Sequence, residues 1–265
     1  MIFPSRFHSR MSRQVANEEI KSGRGEQAIY SERYVAFVDI LGFSRIVRDS
    51  VQSTVQATKL AGTLNRIANR SEPPGIELGS GDDFKAQSFS DCTVLSENAS
   101  DQGLLHLLDV LTIFALDLMA NGILVRGGVA RGPLYHKEGV VFGPALLDAY
   151  ALESTIAKFP RILIDRRAHV DFKRIINDDE LGSARREKIK LSGDGPPFLH
   201  VFEPFRFLTE KSPSWLLETR NGCNFSIQFH LDHSIYEPRI YEKLRWLAIY
   251  WNSSGLPIVR LPATM

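Results

Sequence analysis

Two aspartates carry the first chemical suggestion in this sequence. Asp39 closes the apolar run Tyr34-Val-Ala-Phe-Val-Asp-Ile40 just before Gly42, and Asp91 sits in Phe89-Ser-Asp91 between two short runs of strand character. Carboxylates brought to one sheet edge form a hard-oxygen platform for a pair of Mg²⁺ or Mn²⁺ ions about 4 Å apart. The turn Leu41-Gly42-Phe43-Ser44 follows at once, and backbone N–H groups at a helix start can hold β- and γ-phosphates. A metal pair beside a phosphate cradle points to phosphoryl transfer on a nucleotide. Either aspartate alone would more often be a cap or turn residue; the pair in these settings favours function.

The elements that must position them follow from periodicity. Residues 34–40 read as a buried strand, 44–69 as helix with a break near 50–53, and 84–89 with 92–96 as a hairpin turning at Ser90-Asp91. Leu104, Leu107, Leu108, Leu111, Phe114, Leu118 and Met119 fall at helical spacing. This stretch is the most membrane-like, but His106, Asp109 and Asp117 interrupt it, so it reads as a core helix of a soluble protein. A strand over 123–130 carries Gly127-Gly128, a sign of close backbone approach. Turns around 132–139 flank a short strand pair; a helix over 144–158 and a strand over 161–165 follow. The order β-α-β-β-α-β-α-β is a split βαβ, ferredoxin-like α+β plan, its sheet covered by helices on one face. Residues 171–188 read as charged helix, 193–197 as loop and 236–252 as a terminal helix. The expected division is a polar tail over 1–30, a catalytic domain over 31–203 and a C-terminal α/β extension over 204–265.

Composition narrows the class. A formal net charge of +1 gives no electrostatic footprint for nucleic acid or an anionic membrane. Cys92 and Cys223 stand far apart, which argues against a disulfide framework or zinc site and for a reducing cytoplasm. The first thirty residues are polar and mixed in charge and no apolar h-region follows, so no secretory signal is expected.

Phe37-Val-Asp39-Ile-Leu-Gly42-Phe43 resembles the F-x-D-I-x-G-F motif of class III nucleotidyl cyclases. Phe89-Ser-Asp91 stands where that family carries its hairpin aspartate, 125–132 is similar to its R-x-G-[IV]-x-x-G strand, and 143–153 keeps the register of its G-x-x-V-N-x-A-A-R-L-E helix. The likeness runs from about 34 to 164. It implies two divalent ions held by Asp39, Asp91 and the Ile40 carbonyl, with Arg126 and the Leu41–Ser44 turn on the polyphosphate. An arginine inside an apolar strand is costly unless paired, which agrees with a role for Arg126.

The departures point to the substrate. Gln87 and Val140 occupy the purine-reading Lys and Asp positions, and Leu147 and Ala151 those of the transition-state Asn and Arg. With both metal aspartates kept, the chain most resembles the Pycsar pyrimidine cyclases of bacterial antiphage defence. That resemblance implies conversion of UTP, or alternatively CTP, to a 3′,5′-cyclic monophosphate that activates a separate effector protein, by a homodimer with shared sites. Phe37 is expected against the base or in the core, and Tyr150 at the partner's site or in dimer packing. The rival readings are a catalytically inactive nucleotide-sensing module and a purine cyclase that reads its base by other groups. His230-Leu-Asp-His233 has metal-like spacing but lies outside the family's motifs.

Overall fold

The computed structural model describes residues 29–55, 57–58, 61–62, 83–178 and 186–261. Most of the expected tail, the end of the 44–69 helix and the loops at 72–75 and 79–81 lie outside these residues. In chain order the elements are β1 (Ser31–Ile40), α1 (Phe43–Ser50), β2 (Lys85–Phe89), β3 (Cys92–Asn98), α2 (Asp101–Ala120), β4 (Val125–Lys137), β5 (Val140–Phe142) and α3 (Pro144–Ala151). A π turn (Leu152–Ile156) extends α3; then come β6 (Ile162–Ile164), α4 (Arg166–Asp178), β7 (Ile189–Ser192), β8 (Gly195–Leu199), α5 (Ser214–His233) and α6 (Pro238–Asn252). The strands form an α+β sheet ordered β2-β3-β1-β4-β6-β8-β7, with β5 paired to β4. The β4–β6 pair is parallel and the other pairs are antiparallel.

Period-two alternation divides β1 between two environments. Tyr34, Ala36, Val38 and Ile40 enter the main core, while Val35 and Phe37 join a smaller cluster on the opposite face, the face that also carries Asp39. Ser100 starts α2 by accepting a 2.9 Å hydrogen bond from the Gly103 amide. By length and composition α2 could cross a bilayer; in the structure Leu104, Leu107, Leu108 and Leu111 are fully buried against the sheet. Truncating one of these leucines to Ala costs about 2–5 kcal/mol. The C-terminal helices share this core through Cys223, Ile227, Leu231, Leu247 and Trp251, and Gly222 of α5 abuts Ala120 of α2.

The structure changes several boundaries. The break near 50–53 is present as expected, α1 stopping at Ser50 and helical backbone resuming at Thr54, whereas α2 begins three residues before Leu104. Strand β4 continues to Lys137 and turns through Glu138 and Gly139, both at positive φ, into β5. Helix α4 begins at Arg166, where the Asp165 carboxylate accepts from the Ala168 amide at 2.6 Å. Residues 214–233 form a helix that the sequence pattern does not announce. Helix α3 also departs from the one-sided plan: Ala145 and Ala149 pack with Val35, Val94, Ala130 and Leu134 on the second face. Gly128 makes this possible, because a Cβ there would lie 2.4 Å from the Ala149 carbonyl oxygen.

Candidate active site

The second face of the sheet assembles the site row by row. Asp39 stands at the centre of one row, opposite Cys92 on β3 and Arg126 on β4. The next row sets Phe37 between Val94 and Gly128, with Gln87 of β2 beyond Val94. Asp91 reaches the first row from the hairpin turn, where Ser90 adopts a left-handed φ of 56° and the Asp91 carbonyl accepts from the Ile40 amide at 3.0 Å. Donor atoms of Asp39, Asp91 and Cys92 lie within 4.8 Å of one another. The Cys92 thiol is 3.7 Å from Asp39 Oδ1 and 3.9 Å from Asp91 Oδ1.

Arg126 is held by two acids. Its Nε lies 3.4 Å from Asp39 Oδ2 and 2.5 Å from Glu153 Oε1, on the π turn that follows α3. Glu153 is buried, and its Oε1 lacks a well-aimed hydrogen bond, so charge attraction rather than hydrogen-bond geometry defines the contact. Burial pushes the Asp39 carboxyl above its ordinary range; Arg126 opposes the shift and Asp91 reinforces it. Burial likewise raises Glu153, opposed by Arg126 and reinforced by Asp39 and Asp91. The Cys92 thiol is pushed up to about 12 by burial and then by the Asp91 and Asp39 carboxylates. Arg126 contacts Asp39 and Glu153, and Asp91 lies close enough to both acids to act on them, so among the described residues three formal carboxylates gather round one guanidinium, leaving two negative charges. Hard oxygen donors with that surplus suit a divalent cation.

The other expected residues fall around this centre. The Ile40 side chain enters the main core, so only its backbone can serve a ligand. Gly42 caps α1 at a left-handed φ of 74° and, being glycine, puts no side-chain cap on the first turn at Phe43 and Ser44. Leu41 donates its amide to the Leu124 carbonyl at 2.8 Å, fixing the turn to the start of β4. Gln87 Nε2 donates to the Gly139 carbonyl, next to Val140, so the two positions read as purine-selective in the resemblance are neighbours. Tyr150 packs edge to face on Phe37 of its own chain and stays half exposed. Leu147 is 68% exposed on the outer side of α3.

His230 and His233 do not join the carboxylates. They line a cleft of about 640 Å³ with Arg45, Glu237 and Lys243, beside the Leu41–Gly42 turn. One ring nitrogen of each is committed to a backbone carbonyl, Gly122 at 3.0 Å and Phe229 at 2.7 Å. Sequence reasoning assigned no role to Glu153 or Cys92. The signal for Glu153 was available: an acid four residues after Ala149 on the buried side of a helix needs a cationic partner.

No family model and no curated protein matches the chain. Among solved structures, it is similar to a bacterial light-regulated adenylyl cyclase at 13% identity, covering 62% of this chain and 55% of that one with a TM-score of 0.39. It is also similar to a class III adenylyl cyclase-like ATP-binding protein from Pseudomonas aeruginosa at 11% identity, covering 54% of this chain and 35% of that one with a TM-score of 0.37. The chain therefore spans about half the length of the first and about a third of the second.

Proposed function

We propose that this protein is a nucleotidyl cyclase that converts UTP, with CTP as the alternative, to its 3′,5′-cyclic monophosphate and pyrophosphate. One observation supports the reading above all: Asp39 and Asp91 converge at one end of the sheet beside Arg126, with an excess of negative charge. The four motifs shared with class III cyclases supply the reaction type.

Asp39, Asp91 and the Ile40 carbonyl would hold two divalent ions, Mn²⁺ or Mg²⁺, which when bound would supply acidification of the ribose 3′-hydroxyl and charge neutralisation of the departing pyrophosphate. The amides opening α1 and the Arg126 guanidinium take the polyphosphate oxygens. Phe37, one row below Asp39, offers its ring to the base, and Tyr150 braces that ring. Gln87, at the level of Phe37, presents a neutral amide where a purine reader presents a charge. The protein works as a cytoplasmic homodimer in which the outer side of α3, with Leu147, meets the copy whose site it helps complete. The product is a second messenger for a separate effector protein in antiphage defence.

The test is turnover of ATP, GTP, CTP and UTP supplied together with Mn²⁺ or Mg²⁺. Cyclic UMP or cyclic CMP should dominate, and Asp39→Asn or Asp91→Asn should each abolish it in a folded protein. Dominant cyclic AMP or cyclic GMP would sink the pyrimidine reading while leaving the cyclase. Absence of any cyclic product would leave a nucleotide-sensing module.

A further inference from the structure

The π turn gives Arg126 a second anchorage. Besides Glu153 at 2.5 Å, the turn leads to the Ala157 carbonyl, which accepts from Arg126 Nη1 at 3.4 Å. The widened turn is closed by the Ala157 amide donating to the Leu152 carbonyl at 2.9 Å, a spacing of five residues. Single π turns of this kind recur at functional sites. Among the described residues, Arg126 is the cation that Glu153 contacts, and Glu153 is 3% exposed. Asp39, by contrast, shares Arg126 at the longer distance of 3.4 Å and has Asp91 and Cys92 on its other side.

A guanidinium and a dication cannot both sit against Asp39 without strong like-charge repulsion. Arg126 fills the cationic position beside Asp39, and the Glu153–Ala157 turn offers it an alternative that is already in contact. We propose that Glu153 and the Ala157 carbonyl dock Arg126, so that the guanidinium neutralises Asp39 in the metal-free protein and withdraws onto Glu153 when a divalent ion takes Asp39 and Asp91. Glu153 is then a positioning residue: it sets how strongly Arg126 competes for the metal carboxylates. This rests on the reading of Asp39 and Asp91 as metal ligands. A buried counter-ion with a purely structural role would hold Arg126 equally well but would not couple it to metal affinity.

The experiment measures Mn²⁺ affinity without nucleotide, from the electron paramagnetic resonance signal of free Mn²⁺ titrated with protein. Arg126→Gln should tighten Mn²⁺ binding by on the order of tenfold, because a competing cation is gone; groups coupled in one charge network show effects of this size. Glu153→Gln should weaken binding by on the order of tenfold, since Arg126 is left with Asp39 as its carboxylate partner. In the Arg126→Gln background the effect of Glu153→Gln should shrink to about twofold or less. Unchanged or weaker binding in Arg126→Gln overturns the proposal, as does a Glu153→Gln effect that survives without Arg126. Should a single variant fail to fold, the neutral double variant decides: it should bind at least as tightly as the wild type, and a tenfold loss overturns the proposal. If the wild type binds no Mn²⁺, or Asp39→Asn and Asp91→Asn bind it as well as the wild type, the metal-site reading itself falls and takes the docking proposal with it.

Discussion

Phe37 and Tyr150 meet edge to face within one chain, their ring centroids 5.3 Å apart and their planes at 85°. Such a pair adds about 1 kcal/mol beyond the area it buries. Tyr150→Ala should therefore lower stability by about 1 kcal/mol in a urea titration and raise KM for the triphosphate, whereas Tyr150→Phe should preserve both. Because the ring belongs to the same chain as Asp39, at a triphosphate concentration where Tyr150→Ala alone turns over little, mixing it with Asp39→Ala subunits should add no activity. Recovery approaching roughly a quarter of wild type, with subunit exchange shown, would instead place Tyr150 in the site of the other subunit.

Gly128 tests the seat of α3. An added Cβ would sit 2.4 Å from the Ala149 carbonyl oxygen and 2.5 Å from Leu152 Cβ, so the helix must shift. Overpacking of this kind costs about 1–3 kcal/mol, and in a chain of this size each kcal/mol lowers Tm by about 2–4 °C. Gly128→Ala should show that fall in a thermal melt. Because the shift carries Glu153 and Tyr150 with it, turnover should drop by on the order of a hundredfold, as expected for ångström-scale misplacement.

Asp39 and Asp91 were legible because an apolar strand and a short hairpin give each a defined end. Their register was not. Nothing local states that Asp39 faces Arg126 rather than a residue one step away; packing of the whole sheet decides it. Glu153 went unassigned because its meaning depends on a π turn, which sequence periodicity does not announce. Helix α5 was hidden for a related reason. Asn221-Gly222 reads locally as a turn, yet Gly222 lies against Ala120 and Cys223 is buried beside the Leu116 carbonyl, so contact with α2 overrides propensity.

His200 is one group that should couple stability to acid. It is fully buried, its Nδ1 lies 2.6 Å from the Tyr250 hydroxyl, and its Nε2 has no hydrogen-bond partner among the described residues. Burial, helped by Lys190, lowers its pKa from 6.5 to about 3. The unfolded chain therefore binds this proton more tightly than the folded one. Stability should be lost as pH falls through about 6.5 toward 3, by about 3 kcal/mol between pH 7 and pH 4. His200→Gln cannot titrate; urea titrations at the two pH values should show a flatter profile by about that amount.

Gln87 is tied through its amide to the Gly139 carbonyl, joining β2 to the turn before Val140. Gln87→Ala removes that tie and should reduce kcat/KM for UTP by about tenfold, the scale of one lost hydrogen bond. Mn²⁺ affinity should hardly change, since Gln87 lies in the row below Asp39. An equal loss in metal binding would show that Gln87 supports the carboxylates rather than the nucleotide.

Leu147 concerns assembly. It stands 68% exposed on α3, next to half-exposed Tyr150 and one helical turn before exposed Ala151, while Ala145 and Ala149 anchor the opposite side in the sheet. A charge at this position faces solvent in a monomer and so should leave folding within about 0.5 kcal/mol. In a two-fold dimer, contact near the axis would bring two such charges together, and buried unpaired charge is costly. Leu147→Glu should therefore elute as a monomer in light-scattering chromatography, melt within a few degrees of wild type and retain Mn²⁺ binding. Cyclic nucleotide formation should nevertheless fall by at least about a hundredfold, because the partner's contribution to each site is lost. Full turnover by a verified monomer would show that one chain completes the site alone, and would remove the dimer from the mechanism.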